Sequence, residues 1–397
     1  MADLPREVWI TGIGIVSCLG EGPEAHRQGF AERRIKVDAE TFAPYLVHPL
    51  APLVLDRQIP KKGDQRQMEA WQRIGTYAAG LALEDAGVKG NAELLARMDM
   101  IVAAAGGERD VAVDGSVLTN KSKAANPGAF LNERLMSDLR PTLFLAQLSN
   151  LLAGNISIVH GVTGSSRSFM GEEGAGVDAV RVATARIRAG QSELALVGGS
   201  YNGEREDLLL LYDAGGYLRR GTFEPVWERT DSPGMVLGSI GAFLVLEERA
   251  HAQARGARPV ARLLAVLSER SRRPPSSVTE ALARMWQQLA ALRSTAPVAV
   301  ISGATGTEPG TREERAWLKS LPSLPVRATG SYIGHGFEPQ FAMNIAIAAI
   351  MLRHHKLFPP LDSSGVEQPY GGAVDQIAVT SIGHWRGEGM ALLDAAS

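Results

Sequence analysis

Glu173 stands where a chain of this pattern would present a nucleophile. The segment from Ser168 to Ser200 opens with a glycine-rich turn, continues as a predicted helix, and ends in an apolar strand that closes on Gly198-Gly199. Such a layout presents a side chain at a helix N-terminus, where main-chain amides and the helix dipole lower the pKa of a thiol. Glu173 offers a carboxylate there, which cannot do the work of a thiolate. The segment therefore predicts an enzyme-like fold whose nucleophile has been replaced.

Composition and charge exclude several classes of function. The chain has 397 residues, 45% of them hydrophobic and 21% charged, as is usual for a globular protein. Its formal net charge of −2 gives no electrostatic case for binding nucleic acid or an anionic membrane. The sequence contains no apolar run long enough to span a bilayer and no pattern typical of a signal peptide. The single cysteine excludes an intrachain disulfide, so we expect a cytoplasmic protein.

Apolar runs alternate with helical patterns and indicate an α/β protein with buried strands. The first half predicts strands at 8–16 and 100–105 and a helix over 68–85, and a similar order follows from Pro259, with strands at 260–267 and 297–302 and a helix over 278–292. The repetition predicts two duplicated halves, residues 1–250 and residues 251–397. Within the first half, residues 108–140 show little periodicity. A connection of that length is usually functional or part of an interface.

Several motifs, in their order along the chain, together resemble the β-ketoacyl-acyl-carrier-protein synthases of the thiolase superfamily. They are the opening strand Val8–Gly20, the Leu83–Gly87 turn, the segment from Glu173 to Gly199, Gly238–Ala242 and Leu246–Arg258. The resemblance covers nearly the whole chain. It implies a thiolase-like fold with helices and mixed sheets in α-β-α-β-α layers, and it implies no metal and no cofactor.

The chemistry of that family needs a cysteine, two histidines and a lysine. By position, the resemblance aligns Glu173 with the cysteine, Thr305 with the first histidine and Gly330 with the lysine, while His335 matches the second histidine. The family also has a glycine-rich gating loop near its C-terminus. Here that loop is Gly383–Gly387, with His384, Trp385 and Arg386 between the glycines. Three of the four catalytic groups are absent, so condensation by this chain alone is not expected.

A degenerate chain of this kind resembles the chain length factor, the ketosynthase beta subunit, of type II polyketide or aryl polyene systems. The resemblance implies an active ketosynthase as partner in a heterodimer, an acyl carrier protein, and an acyl or polyene chain in a shared tunnel. The compact length and the altered gating loop favour the aryl polyene branch. We expect the interface at a strand over Ile156–Val162 and along Glu108–Arg140, with apolar contributions from Leu118, Phe130, Leu131 and Phe144.

Other interpretations of the same residues stay open. Glu173 can be a carboxylate tolerated at a helix start, where it gains about 0.3–1 kcal/mol, or it can pair with His335 and fill the former active site. His335 can equally be a hydrogen-bonded core histidine. A different class of function is a free-standing malonyl-acyl-carrier-protein decarboxylase that uses Glu173 and His335, and another is a protein that sequesters an acyl carrier. The cations His354, His355 and Lys356 suit the C-terminus of a helix over Phe341–Arg353.

Overall fold

The chain forms both helices and strands throughout its length, as the apolar pattern predicts. A computed structural model describes residues 5–139, 141–294, 298–321 and 324–396. The strands β1 to β13 are Val8–Ser17, Gly20–Glu21, Val47–His48, Asp99–Ala104, Ser166–Phe169, Leu194–Tyr201, Leu237–Gly238, Ile240–Glu248, Ala261–Glu269, Ala299–Ser302, Val326–Ala328, Gln376–Ile382 and Glu388–Ala395. The helices α1 to α15 are Gly22–Ala31, Lys62–Gln67, Ala70–Asp85, Ala92–Arg97, Val111–Lys121, Pro127–Ser137, Pro141–Ala146, Leu151–His160, Glu172–Arg188, Glu206–Ala214, Arg249–Ala254, Ser277–Gln288, Gly310–Ser320, Gly330–Ile333 and Gln340–Arg353. Arg140 and Pro297, which bound a predicted segment and a predicted strand, lie outside the described residues.

Two sets of five strands repeat one arrangement. The first set lies in the order β5-β4-β6-β8-β1 and the second in the order β11-β10-β12-β13-β9. In both sets the last strand along the chain, β8 or β13, runs antiparallel to its neighbours, and the remaining pairings are parallel. A short antiparallel pairing of β1 with β9 joins the sets into one mixed sheet. The repeated order supports an internal duplication. The division between residues 250 and 251 falls within α11, between the two sets, and stays a prediction.

Two helices fill the space between the strand sets. The helices α9 and α15 contact each other and contact strands of both sets. Thirteen residues of α15 are buried, which suits a helix that is apolar all round and covered on every side. The helices α3 and α8 cover the outer face of the first set, and α12 and α13 cover the outer face of the second. The layers are therefore helix, sheet, helix, sheet and helix, as the family resemblance implies.

Two local predictions need correction. Residues 108–140 contain the helices α5 and α6 instead of an irregular connection, because Asp110 and Asn126 cap them by accepting hydrogen bonds from the third following amides. The strand predicted over Ile156–Val162 is wrong, since this run forms the end of α8 and a left-handed Gly161. A short apolar run does not distinguish a buried strand from a buried helix. The strand that precedes α9 and ends the sheet is β5, Ser166–Phe169.

None of the helices in the described ranges combines the length and the apolar character that crossing a bilayer requires.

Candidate functional site

The turn before α9 places Glu173 in the first turn of that helix. Gly171 has φ of 130° and the helix begins at Glu172, whose φ of 58° is uncommon for a residue with a side chain. Gly176 lets α9 approach the segment that follows His335, because a Cβ there would lie 2.3 Å from the carbonyl oxygen of Glu338. Glu173 is only 3% exposed as a result. A strained turn and a close helix contact thus bury a carboxylate at the helix N-terminus.

Two histidines hold the Glu173 carboxylate. His335 Nε2 lies 2.8 Å from Oε1, and His384 Nδ1 lies 3.1 Å and 3.2 Å from the two carboxylate oxygens. The main-chain N–H of His384 also donates to Oε1, at 3.1 Å. Both histidine side chains are buried. The structure therefore brings together Glu173, His335 and one residue of the gating-loop segment, His384.

The protonation of this cluster follows from these contacts. Burial alone would raise the pKa of Glu173, but the hydrogen bonds from His335 and His384 and the charges of both rings outweigh it, and the pKa lies well below the usual range. Burial would lower the pKa of His384, and its hydrogen bond to Glu173 and the charge of that carboxylate raise it instead. At neutral pH Glu173 is thus ionised, and protonation of His384 is favoured. The cluster is therefore a buried carboxylate held by two imidazole rings.

Glu172 ties the same loop to the helix from the other side. Trp385 Nε1 donates to Glu172 Oε2 at 2.6 Å, and the hydroxyl of Tyr212 donates to Oε1 at 3.3 Å. The main-chain N–H of Glu172 donates to Glu338 Oε1 at 3.2 Å. Burial raises the pKa of Glu338 to about 8, and the charges of Glu173 and Glu172 add to this, so Glu338 is protonated at neutral pH. Its second oxygen has no hydrogen-bond partner among the described residues.

The gating-loop segment Gly383–Gly387 is closed on itself and anchored. The N–H of Gly383 donates to the carbonyl of Gly387 at 2.7 Å, and Arg273 Nη2 donates to the carbonyl of Gly383 at 2.6 Å. Arg273 also forms a buried ion pair with Glu388, the residue after the loop. The guanidinium of Arg386 lies 3.9 Å from the ring centroid of the partly exposed Trp385. These contacts favour a single position of the loop against the start of α9.

Thr305 and Gly330 lie apart from this hydrogen-bonded cluster. Thr305 is buried, its hydroxyl lies 2.7 Å from that of Thr307, and its carbonyl accepts from Arg229 Nη1 at 3.3 Å. Gly330 opens α14, where a Cβ would lie 3.1 Å from the carbonyl oxygen of Ala304. A side chain at this position would therefore need the neighbouring backbone to move. Neither residue contributes a hydrogen bond to Glu173.

The arrangement restricts the chemistry that α9 can perform. The residue at its N-terminus is a carboxylate whose two oxygens already accept hydrogen bonds, and its negative charge would repel a malonyl carboxylate. One ligand atom each from Glu172, Glu173 and His384 lie within 4.8 Å of one another, which is a spacing that a metal ion can bridge. Because Glu173 and His384 already bond to each other and Glu172 bonds to Trp385, we assign no metal there.

Several residues of the site escaped the sequence analysis. Glu172, Tyr212, Arg273 and Glu338 surround the loop and the helix start. Glu172 and Glu338 could have been identified from the sequence. Glu172 is adjacent to the candidate Glu173, and Glu338 follows the candidate His335 by three residues. Arg273 carries no such signal, since it comes from a loop 110 residues before Gly383. A cavity of ≈510 Å³ borders Glu172, Tyr212 and Glu338.

The comparisons with known proteins extend over most of the chain. A family model described as the N-terminal domain of beta-ketoacyl synthase matches residues 5–252. The chain is 25% identical over 264 residues to 3-oxoacyl-(acyl-carrier-protein) synthase 2 of Vibrio cholerae, a match that covers 64% of this chain and 60%, less than two thirds, of that enzyme. It is 26% identical over 388 residues to the tetracenomycin polyketide synthase ketoacyl synthase beta subunit of Streptomyces glaucescens, over 92% of this chain and 90% of that protein.

A solved structure shares the architecture from end to end. The ishigamide ketosynthase/chain length factor superposes with a TM-score of 0.81 at 19% identity, over 99% of this chain and 100% of that chain. The thiolase-like ketosynthase fold is thereby confirmed. With a family model matching well over half of its residues, the chain belongs to the beta-ketoacyl synthase family.

Proposed function

We propose that this chain is a non-catalytic chain length factor, which pairs with an active ketosynthase to form a heterodimeric condensing enzyme. The observation that carries the proposal is the buried Glu173 carboxylate, held by His335 and His384 at the position where a ketosynthase carries its nucleophile. Its relatives include a ketoacyl synthase beta subunit by name. The fold is retained, while the groups for acyl transfer are not.

Condensation needs a nucleophile that releases a proton and attacks a thioester. A thiolate can do this, whereas a carboxylate that already accepts hydrogen bonds from two histidines is a weak nucleophile. Thr305 cannot polarise a thioester carbonyl as an imidazolium or imidazole would, and Gly330 offers no amine. His335, the one retained group, is already engaged by Glu173. These losses support a subunit that contributes shape instead of chemistry.

An exposed apolar region supports pairing with another subunit. Fourteen large apolar side chains of the described residues are exposed, and nine of them belong to the 111–170 surface, which consists of Val111, Leu118, Leu135, Met136, Phe144, Leu145, Leu148, Ile158 and Met170. The concentration of exposed apolar side chains in one segment supports an interaction site there. Of the apolar residues expected at the interface, Leu118 and Phe144 are 75% and 70% exposed, whereas Phe130 and Leu131 are half-buried.

The edge of the sheet lies in the same region. The strand β5 pairs only with β4 among the described strands, so its outer edge is free to accept a strand from a partner. Met170 directly follows β5 and is 63% exposed. An edge strand flanked by exposed apolar side chains supports an interface that combines main-chain hydrogen bonds with apolar burial.

The cavity beside Glu172 supports a role in holding a chain that is bound to an acyl carrier protein. Its ≈510 Å³ are bordered by apolar groups, among them Met170, Leu208 and Leu211, as well as by Tyr201, Tyr212 and Glu338. Two of these apolar residues, Met170 and Leu211, are themselves exposed. Met170 belongs both to the cavity lining and to the 111–170 surface, which supports a tunnel shared with a partner subunit. The proposal covers two product classes, polyketide and aryl polyene. Identification of the product distinguishes them.

Co-expression tests the proposal. The chain would be produced alone and together with an active ketosynthase encoded beside it, and both samples would be examined for subunit stoichiometry and for condensation of acyl and malonyl groups on an acyl carrier protein. We expect a one-to-one complex that condenses and an isolated chain that does not. A chain that stays apart from every such ketosynthase would overturn the proposal.

The contact between Glu173 and His335 favours one alternative, a free-standing malonyl-acyl-carrier-protein decarboxylase. In that case the isolated chain releases carbon dioxide from malonyl carrier protein, and Glu173→Ala abolishes the release. The low pKa of Glu173 weighs against this function, because an ionised carboxylate repels the malonyl group. Undiminished release by the Glu173→Ala variant would remove Glu173 from any such role.

A further inference from the structure

A second cavity has no residue of α9 in its lining. Its lining is positively charged, whereas the site at the start of α9 carries acidic side chains. It has a volume of ≈600 Å³ and lies between the end of α1 and the segment that follows α15. Its charged lining residues are all cationic, Arg27, Arg33, Arg327 and Lys356, and His354 also lines it. Its remaining lining consists of apolar side chains and prolines, including Leu357, Phe358 and Tyr370. It shares no lining residue with the cluster around Glu173.

Arg327 is the central observation, because its buried guanidinium forms no ion pair within the described part of the chain. The side chain is 1% exposed. Its Nε donates to the carbonyl of Phe358 at 2.5 Å, and Nη1 donates to the carbonyls of Val326 and Gln368 at 2.6 Å and 3.1 Å. Among the described residues, Nη2 has no hydrogen bond and the guanidinium has no ion pair, although the side chain lines the cavity. An unpaired buried cation is costly, so a fold that retains one points to an anion that binds it.

The buried acid Glu367 forms no ion pair with Arg327 among the described residues. Glu367 uses its two oxygens to accept from the main-chain N–H groups of Ala328 and Leu361, at 2.7 Å and 3.2 Å. Burial raises the pKa of Glu367 to about 7, so it carries only part of a negative charge at neutral pH. Burial also lowers the pKa of Arg327, which agrees with a site that lacks a full counter-ion. The charges of Glu367 and Asp362 act on Arg327, but neither carboxylate forms an ion pair with it among the described residues, so its guanidinium can still bind an anion in the cavity.

The rim adds further positive charge. Among the described residues, the side chains of Arg33 and Lys356 form no ion pair and no hydrogen bond, whereas Arg27 pairs with Glu24 at 2.5 Å. Cations after α15 are expected to complement the C-terminus of that helix, which explains His354 and Lys356 in part. That effect does not explain Arg327, because it lies on β11. Two elements of the fold thus supply cations independently to one apolar cavity.

We propose that this cavity binds an amphipathic anion, a small molecule whose carboxylate or phosphate group meets Arg327 while its apolar body packs against Leu357, Phe358 and Tyr370. Its volume falls within the range of pockets that bury small molecules. Arg suits both head groups, because its planar donors match carboxylate and phosphate oxygens. This site is independent of the pairing proposed above, and either can hold without the other.

The test is calorimetric titration of the full chain with naphthalene-2-carboxylate, 2-naphthyl phosphate and the neutral naphthalene-2-carboxamide. We expect at least one anion to bind at least about tenfold more tightly than the amide. The variant Arg327→Met keeps an apolar stem of similar length and is expected to lose at least that factor. The tighter of the two anions identifies the head group.

A second pair of variants keeps the test decisive if Arg327→Met does not fold. Arg33→Ala/Lys356→Ala changes only exposed rim residues and is expected to weaken binding by about threefold to tenfold. Its matched control, Lys61→Ala/Lys319→Ala, removes the same charge from exposed positions outside the cavity and should leave affinity unchanged. Equal affinity for the amide, equal weakening in both double variants, or no binding of either anion would overturn the proposal.

Discussion

The Glu173 carboxylate accepts a hydrogen bond from Nε2 of His335 at 2.8 Å, and the two side chains are 3% and 4% exposed. The two side chains that the family resemblance aligns with the nucleophile and with a catalytic histidine are therefore hydrogen-bonded to each other. His384 of the gating-loop segment completes the cluster from the opposite end of the sequence. The buried Glu173 carboxylate thus joins three segments: the start of α9, the loop after α14 and a C-terminal loop.

The first prediction concerns the stability that this charge provides. Glu173→Gln keeps the shape and removes the charge, so we expect the free energy of unfolding to fall by about 2 kcal/mol at pH 6. The stability that ionised Glu173 contributes is fully present above its ordinary pKa of 4.5. It is lost as pH falls through the lowered pKa of the folded state. The stability that protonated His384 contributes is fully present below its ordinary pKa of 6.5. It is lost as pH rises through the raised pKa of the folded state. Denaturant unfolding should show the largest loss between pH 4.5 and 6.5.

Glu206→Gln is the matched control for Glu173→Gln. Glu206 also lies in the first turn of a helix, α10, but it is exposed. The control should lose less than about 1 kcal/mol, which is the usual value of a carboxylate at a helix start. Equal losses in both variants would mean that Glu173 is merely tolerated at its helix, with no benefit from the histidines.

The second prediction concerns the protonated Glu338. Its pKa of about 8 exceeds the ordinary 4.5, so the folded state binds a proton that the unfolded state releases. Stability contributed in this way is present at low pH and is lost as pH rises from about 4.5 to 8. The variant Glu338→Gln does not titrate at this position. Its free energy of unfolding, relative to that of the original chain, should therefore rise by up to about 1.4 kcal/mol per pH unit across this range. Unfolding measured at pH 5, 6, 7 and 8 checks this, and a constant difference would contradict it.

Much of the fold was predictable because its strands are buried on both faces and its turns carry glycines. The alternation of apolar runs predicted the layers, and β1, β4 and β9 lie within a residue or two of the expected ranges. The run Ile156–Val162 misled, because apolar content alone cannot separate a helix from a strand. The helices α5 and α6 were missed because their exposed apolar residues face no core within this chain and so show no periodicity.

The site was less predictable than the fold for a physical reason. Alignment to a motif identifies the residue at a position, and so it indicated Glu173, His335 and the loop at His384. It does not identify which distant side chains reach that position, and Arg273 and Tyr212 enter through contacts that span 110 and 40 residues. The functional roles of Glu173, Thr305, Gly330 and His335 stay predictions, since contacts alone do not measure activity.

The third prediction concerns the 111–170 surface. Leu118→Asp places a charge on the exposed apolar face and should weaken pairing with the ketosynthase by at least about tenfold, because a charge there is desolvated on binding. The matched control is Val54→Asp, which changes an exposed apolar residue outside this surface; the original side chains are 75% and 64% exposed. Both variants should unfold like the original chain. Equal effects of the two variants on co-purification would rule out this surface as the interface.

The fourth prediction concerns reintroduction of a thiol. Glu173→Cys should not produce condensation by the isolated chain, because Thr305 and Gly330 still lack the imidazole and amine of a ketosynthase and Arg273 still anchors the loop. The measurement is mass spectrometry of carrier-bound products after incubation with acyl and malonyl carrier proteins. An active ketosynthase serves as positive control. Turnover by the variant alone would show that the other losses are not disabling.

The central claim is that this chain serves as the non-catalytic half of a ketosynthase heterodimer. Its most direct test is native mass spectrometry of the chain co-purified with an active ketosynthase, combined with a condensation assay on the same sample. We predict a one-to-one complex that condenses carrier-bound substrates and keeps this activity when Glu173 is changed to Gln. A chain that purifies alone as a homodimer and condenses acyl and malonyl groups, with that activity lost in Glu173→Gln, would contradict the claim.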